Sequence, residues 1–397
     1  MFLKNYRMVD MCWMGGGPFA AQVLGDLGCD VIKVMELPKS AGRRGGRSTG
    51  SLIAEHNGLE LSHYRFGIRN ARSMMLDLKS KQGLEIFHRL IKSSDVITEG
   101  FRPGVADRLG VGYEALKKIN PGLVYAAITG YGQTGPYRDK PGHDVNFESI
   151  AGFVGMNGQA GGPPVVTGGL VADFGVGAMS VVAHILAALL RREKTGEGAY
   201  CDVSLTDAVF EANGAAIGPY LGAGVEMKRG EMYFSGFWPF NDVYATQDEA
   251  YITVGAWEPY FFENLCQAAG REDLIEHQWE VGKRDYVRAE LSALFKTRTQ
   301  AEWGALFENV DACVTPVNSP AQAVADPQIR ARNMIVELEN PLHGKVPMVG
   351  SMFKLDDQAL EARHWMNHPG EHTNMVLQEL GYSEGDIAGL RDQGFVG

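Results

Sequence analysis

Over its first 130 residues this chain alternates short apolar runs with helical periodicity, and few folds tolerate that rhythm. Residues 6–13 (YRMVDMCW) read as a strand. The turn Gly15-Gly16-Gly17-Pro18 follows, with the proline placed to open a helix over 19–27. Residues 30–35 (DVIKVM) predict a second strand and 73–78 a third. An amphipathic helix fits 82–92, and 95–98 and 123–129 read as buried strands. Such alternation predicts βαβ units joined into a parallel sheet, hence an α/β fold. Residues 143–151 read as a helix start, 175–192 as a long apolar helix and 200–205 as a further strand. Aromatics then cluster at Tyr233, Phe234, Phe237, Trp238 and Phe240. From 241 to 330 the pattern predicts a smaller α+β unit, with strands at 251–255 and 313–317 and helices near 259–269, 285–296 and 300–308. The 371–392 stretch is a polar helical pattern.

Composition narrows the function classes. With 397 residues, two domains or one large elaborated domain are expected. The balance of 37 Lys+Arg against 48 Asp+Glu argues against a nucleic-acid partner, which needs clustered cations for phosphate. A local basic pocket for a small anionic ligand stays compatible with it. The cysteines, Cys12, Cys29, Cys201, Cys266 and Cys313, are odd in number, widely spaced and without C-x-x-C, a reduced inventory that fits a cytoplasmic protein. The first residues are too polar for a signal peptide. The apolar run 174–190 holds His184 and ends in Arg191-Arg192, which predicts a buried helix and no membrane span. Glycine stands out, at 50 residues or about 13 % against the usual ~7 %.

Two segments invite an anion. Gly15-Gly16-Gly17-Pro18-Phe19-Ala20 satisfies G-x-G-x-x-A after a strand, with Glu36 closing the next strand. Backbone N–H groups there would hold a pyrophosphate and the acid a ribose, as in an NAD-dependent dehydrogenase. Pro18 removes one donor, and tight strand–helix packing explains the same glycines. Residues 37–64 form a polar excursion, and Arg43, Arg44, Arg47, Arg65, Arg69 and Arg72 concentrate charge around it. Phe101-Arg102-Pro103-Gly104 follows a buried strand end, where α/β folds place ligands. A phosphate-binding loop and a solvated loop both fit these arginines.

Three single residues carry candidate proton chemistry. His143 in Gly142-His143-Asp144 sits at a helix start, which favours neutral imidazole; it is either a base or a cap. Asp173 in Val171-Ala172-Asp173-Phe174-Gly175 is either an N-cap or, with glycines beside it, a base or nucleophile that a substrate can approach. Glu258 in Trp257-Glu258-Pro259 either opens a helix or serves a site. His364, His368 and His372 are spaced by four, but Pro369 and Gly370 interrupt any shared helical face, so no metal is expected.

In order along the chain, YGQTGPYRDKPGHDVNF, LVADFGVGAM, VGAWEPYFF, DACVTPV and GEHT resemble the family III CoA-transferases and, within them, the α-methylacyl-CoA racemases. The RNARS–LDLK and FRPG segments resemble the wider family. The resemblance spans nearly the whole chain, and His143 together with Glu258 favours the racemase branch. It implies a racemase or epimerase of 2-methylacyl-CoA thioesters, in which His143, paired with Glu258, and Asp173 act on opposite faces of the α-carbon through an enolate. Arg43, Arg72, Leu76, Phe101, Arg102 and Asp144 would hold coenzyme A, which enters as part of the substrate; no tightly bound cofactor is implied. The alternative within the family is a CoA-transferase in which Asp173 forms an acyl anhydride. A protein that binds CoA without catalysis is a further alternative. Gly169 stands where the racemases usually carry Asn. The resemblance also implies a large doubly wound, Rossmann-like domain from 1–224 and 331–397, a small domain at 225–330, and an interlocked homodimer.

Overall fold

The computed structural model describes residues 1–37, 69–356 and 360–397. Arg43, Arg44, Arg47, Arg65 and the glycines between 42 and 50 lie outside the described residues. The chain divides into two compact units. The first comprises 1–151, 167–212 and 331–397, and the second 152–166 and 213–330.

The first unit is built on a six-stranded sheet of β1 (Arg7–Asp10), β2 (Asp30–Met35), β3 (Ala71–Met75), β4 (Val96–Glu99), β5 (Val124–Thr129) and β6 (Ala199–Ser204). Every neighbouring pair is parallel, in the order β3-β2-β1-β4-β5-β6. This is the expected α/β architecture with the strand order of a doubly wound fold. Parallel strands are covered on both faces, so they read as continuous apolar runs rather than alternating ones. β5 shows this fully: all six of its residues are buried. β1 is shorter than the expected 6–13 because the Asp10 carboxylate takes the N–H of Cys12 and turns the chain there.

Helix α1 (Gly16–Asp26) crosses from β1 to β2, and α2 (Lys81–Lys92) follows β3. α2 shows how locally such an element is specified. The Ser80 hydroxyl accepts the Gly83 N–H at 3.0 Å, Ile86, Phe87, Leu90 and Ile91 form one buried stripe, and Arg89 and Lys92 face the negative helix end. α3 (Asp144–Ile150) is short, and α4 (Val176–Thr195) is the long apolar helix. Val171–Thr195 is long and apolar enough by composition to cross a membrane. Here it packs on β5, β6 and α1, burying Gly177, Ala178, Val181, Val182, Ile185, Ala188 and Leu189. α5 (Leu205–Ala212) follows β6.

The chain after 331 returns to the β3 edge. The Asp77 N–H donates to Phe395 O at 2.9 Å, Leu76 pairs with Val396, and Val376 and Leu377 enter the core around Met74 and Phe87. The hairpin Ile335–Asn340/Gly344–Val349 in this segment was not legible in the sequence, because only Leu338, Asn340 and Val346 of it are buried.

The second unit has an antiparallel sheet, β7 (Asn241–Ala245), β8 (Tyr251–Gly255) and β9 (Val314–Pro316), and helices α6 (Pro259–Ala269), α7 (Arg284–Phe295) and α8 (Gln300–Phe307). Its core is aromatic. Trp303 meets Phe295 edge to face at 5.1 Å between ring centres, stacks on Phe307 at 5.9 Å, and donates its indole N–H to Phe295 O at 2.8 Å.

Candidate active site

Strands β1 and β4 are neighbours whose following crossovers run to opposite sides of the sheet, and the crevice beyond their carboxyl ends is where such folds hold ligands. β1 ends in Asp10, which is fully buried. Its Oδ1 accepts the Cys12 N–H and the Thr98 hydroxyl, both at 2.9 Å. Lys33 Nζ donates to Asp10 Oδ2 at 2.5 Å and to Cys12 O at 3.2 Å. The peptide leaving the sheet is thus held on both sides by one internal ion pair.

Beyond it lies the glycine turn, and each glycine answers a close approach. Gly15 has φ 73°, and a Cβ on it would lie 3.0 Å from Asp173 Oδ1. A Cβ on Gly16 would lie 2.7 Å from the Asp173 carbonyl oxygen, and one on Gly17 would lie 2.5 Å from the Cys12 side chain. The turn therefore packs against Asp173 and Cys12. A carboxylate already stands over the start of α1, where a dinucleotide would place its pyrophosphate. That anion would be repelled there, so the dehydrogenase reading loses its binding site.

Asp173 belongs to a single π-helical turn, Val171–Gly175, that leads into α4. The N–H groups of Phe174 and Gly175 both reach Leu170 O, at 2.8 and 3.1 Å. Such one-turn distortions recur at functional sites. Asp173 is thus not a helix cap. Its own N–H donates to Asp144 Oδ1 at 2.8 Å. Burial raises its carboxyl above the usual aspartate range, with His143 opposing and Glu148 adding to the rise. Asp173, His143, Asp144 and Glu148 therefore form one electrostatic group.

His143 immediately precedes α3. Its N–H donates to Asn146 Oδ1 at 3.0 Å and its carbonyl accepts the Asn146 N–H at 2.8 Å. The residue is exposed. Gly142 before it is required by packing: a Cβ would lie 2.5 Å from the Phe147 ring and 2.9 Å from the Tyr131 hydroxyl. Tyr131 and Phe147 meet edge to face at 5.2 Å, folding the 131–147 loop onto α3. The Gly168-Gly169 pair is different, since a Cβ at either would meet nothing within 4 Å.

The other expected residues are dispersed. Arg72 is buried, and its guanidinium donates to Asp30 Oδ1 and Oδ2 at 3.0 and 2.7 Å and to Glu379 Oε1 at 2.5 Å. It is a strut of the sheet edge, its guanidinium held by these two carboxylates. Arg69 is similar, paired to Asp26 at 2.8 Å. The Leu76 side chain is buried in the core. The Phe101 N–H donates to Glu99 at 2.7 Å, which closes the loop after β4. Arg102 in that loop is exposed and forms no ion pair with a described residue. Arg108 and Arg138 lie nearby: their guanidinium nitrogens come within 3.5 and 3.8 Å of a Cβ built on Gly104. Glu258 lies in the second unit, exposed, directly before α6, and its carbonyl accepts the Phe261 N–H at 3.0 Å. Burial is the leading cause that pushes up every cysteine thiol, so none is poised as a thiolate. Among the described residues no group of three or more His, Cys, Asp or Glu is placed to hold a metal ion.

Sequence reasoning missed Glu148 and the Asp10–Lys33 pair. The i,i+4 spacing of Asp144 and Glu148 in DVNFE was the available signal for the first. Nothing local marks the second, because a strand-end Asp and a mid-strand Lys meet only across the β1–β2 pairing.

Comparison with known proteins finds relatives over nearly the whole chain. The chain is 31 % identical over 404 residues to a protein of Fusarium pseudograminearum described as an acyl-CoA transferase, covering 99 % of this chain and 88 % of that one. It is also 31 % identical over 396 residues to the alpha-methylacyl-CoA racemase of Homo sapiens, covering 98 % and 95 %. A crystal structure of a CAIB/BAIF family protein from Brucella suis superposes with a TM-score of 0.76 at 27 % identity, covering 95 % and 98 %. The model of CoA-transferase family III matches residues 3–373, and with a carboxylate held at the carboxyl edge of a doubly wound sheet, this chain belongs to that family.

Proposed function

We propose that the chain is an α-methylacyl-CoA racemase-like isomerase that moves the α-proton of a 2-methylacyl-CoA thioester from one face to the other. The observation that carries this reading is the proximity of His143 to Asp173 in one electrostatic group, with Asp173 pushed toward basicity by burial. A buried carboxylate of raised pKa is a better proton acceptor than an exposed one, and a second acid–base group can return the proton. The enolate oxygen needs preorganised donors. The backbone at Gly168-Gly169, over open space, supplies candidates. Arg102, exposed after β4, is assigned to the phosphates of CoA. Glu258 is assigned to the same acid–base chemistry as His143. A cytoplasmic homodimer completes the reading; the apolar, exposed Leu190 and Phe210 of the first unit are side chains a second copy would cover.

A second reading has specific support, the acyl-CoA transferase name of the Fusarium relative. In it the Asp173 carboxylate attacks the thioester carbonyl, CoA leaves as the thiolate, and a mixed anhydride forms. Incubation of a 2-methylacyl-CoA in D₂O separates the two. Deuterium should enter the α-position, and His143→Ala should slow that entry by about 10²-fold or more. Transfer of CoA to a free carboxylic acid without α-exchange, with hydroxylamine trapping at Asp173, would replace the isomerase reading by the transferase one.

A further inference from the structure

Behind Asp173 lies an acid that neither reading above uses. Glu148 is fully buried on α3, one turn from Asp144. Its Oε2 accepts the Thr167 hydroxyl at 2.8 Å and its Oε1 accepts the Val171 N–H at 3.2 Å. Asp144 Oδ1 accepts the Asp173 N–H. The two acids of α3 thus hold two alternate peptides of the π turn, and Glu148 also holds the segment entering it. Fully buried carboxylates are costly unless each oxygen has donors, so a glutamate kept there needs a reason. Burial and the neighbouring Glu148 carboxyl together push the Asp144 carboxyl up to about 7.

We propose that Glu148 is a positioning residue: by holding Thr167 and the Val171 N–H, it fixes the π turn that aims the Asp173 carboxylate at substrate. This rests on the reading of Asp173 as the reacting group, in either branch of the chemistry. It is not itself a catalytic residue, since it is fully buried behind the turn. The reach of its side chain matters, and its charge does not.

That distinction sets the test. In the full-length protein, Glu148→Gln keeps the reach and loses the charge, Glu148→Asp keeps the charge and loses the reach, and Glu148→Ala loses both. Each is assayed with a 2-methylacyl-CoA for α-exchange and for CoA transfer, and amide hydrogen exchange is read at Val171 and Asp173. Glu148→Gln should keep kcat within about 10-fold, and Glu148→Asp and Glu148→Ala should lose about 10²-fold or more, the penalty of an ångström-scale misplacement. KM should stay within about 3-fold throughout, because ground-state binding is untouched. Val171 and Asp173 amides should lose protection in the Asp and Ala variants and keep it in the Gln variant. A folded Glu148→Asp protein with wild-type kcat and protection would overturn the proposal. So would a loss confined to KM, or a Gln variant as impaired as the Asp variant. If Glu148→Ala fails to fold, the Gln–Asp order still decides. If the wild-type protein shows neither exchange nor transfer, the functional reading fails, while amide protection still tests the positioning.

Discussion

The first unit buries Asp10, Lys33, Arg69, Arg72, Glu99, Asp144 and Glu148 as whole residues, whereas the second buries no whole Asp, Glu, Lys or Arg residue, only the Nε and one Nη of Arg229. Its fully buried polar residues are neutral, such as Gln278 and Gln300, and its interior is filled by Trp238, Phe240, Phe262, Phe295 and Trp303. Both ways of filling an interior are stable, but they respond to different perturbations. Apolar packing is insensitive to pH and salt. A buried charge survives only with its partner, and its removal leaves the other group without solvation. The π turn bearing Asp173 belongs to the polar unit. Charges held in fixed, water-poor places can steer proton chemistry, and an aromatic core cannot.

The sharpest way to break this contrast is to remove one member of a pair. Lys33→Met leaves Asp10 buried without its cation and should destabilise the protein by about 3–5 kcal/mol. Adding Asp10→Asn should restore a large part of that loss. In the second unit Trp303→Ala should cost a similar ~3–5 kcal/mol by leaving a cavity, but no second substitution of a charged residue should rescue it. Urea denaturation followed by circular dichroism measures both. A loss under about 1 kcal/mol for Lys33→Met would show that the pair is dispensable and the contrast false.

A titration sharpens the same comparison at smaller scale. Burial, with Asp107 adding, pushes the Glu99 carboxyl from the ordinary 4.5 up to about 7, against hydrogen bonds from the Phe101 N–H and Tyr125. The folded protein therefore holds this proton more tightly than the unfolded chain. The stabilising contribution is complete below about pH 4.5 and is lost as pH rises to about 7, by up to about 3 kcal/mol. The gap in melting temperature between Glu99→Gln and the wild-type protein should widen in favour of the variant from pH 5 to 7 and then level off. A constant gap over that range would refute the assignment. The smallest effect lies in the second unit. Thr299 caps α8, accepting the Glu302 N–H at 3.3 Å while its own N–H donates to Glu302 at 2.8 Å. Thr299→Ala should cost about 1 kcal/mol, read in the same urea denaturation at pH 7.

The apolar periodicity of the strands revealed most of the fold. Residues 30–35 and 251–255 fall where the pattern put them, because central strands must be apolar on both faces or strictly alternating. Helix α6 occupies the expected 259–269, set by Pro259 at its first position and Gly270 after its end. The grouping of His143 with Asp173 was suggested by two short motifs; their chemistry is the part of the site proposed above. The ion pairing of Arg72 was not legible, because its partner Glu379 stands 307 positions away. Glycine was ambiguous for a similar reason. The triplet at 15–17 is filled in by its neighbours, whereas the pair at 168–169 borders open space, and composition cannot tell these apart.

The return of the last residues to the β3 edge has a consequence for biosynthesis. Arg7 pairs with Glu379 across 372 positions, and Arg72 takes half of its ion-pair partners from the same glutamate. On a growing chain these cations emerge long before the acid that joins them, while the second unit, whose contacts are nearer in sequence, can close first. Contacts so distant slow folding. The edge strand of the sheet would stand uncovered through most of translation, the interval in which a nascent chain of this kind depends most on being shielded from its neighbours.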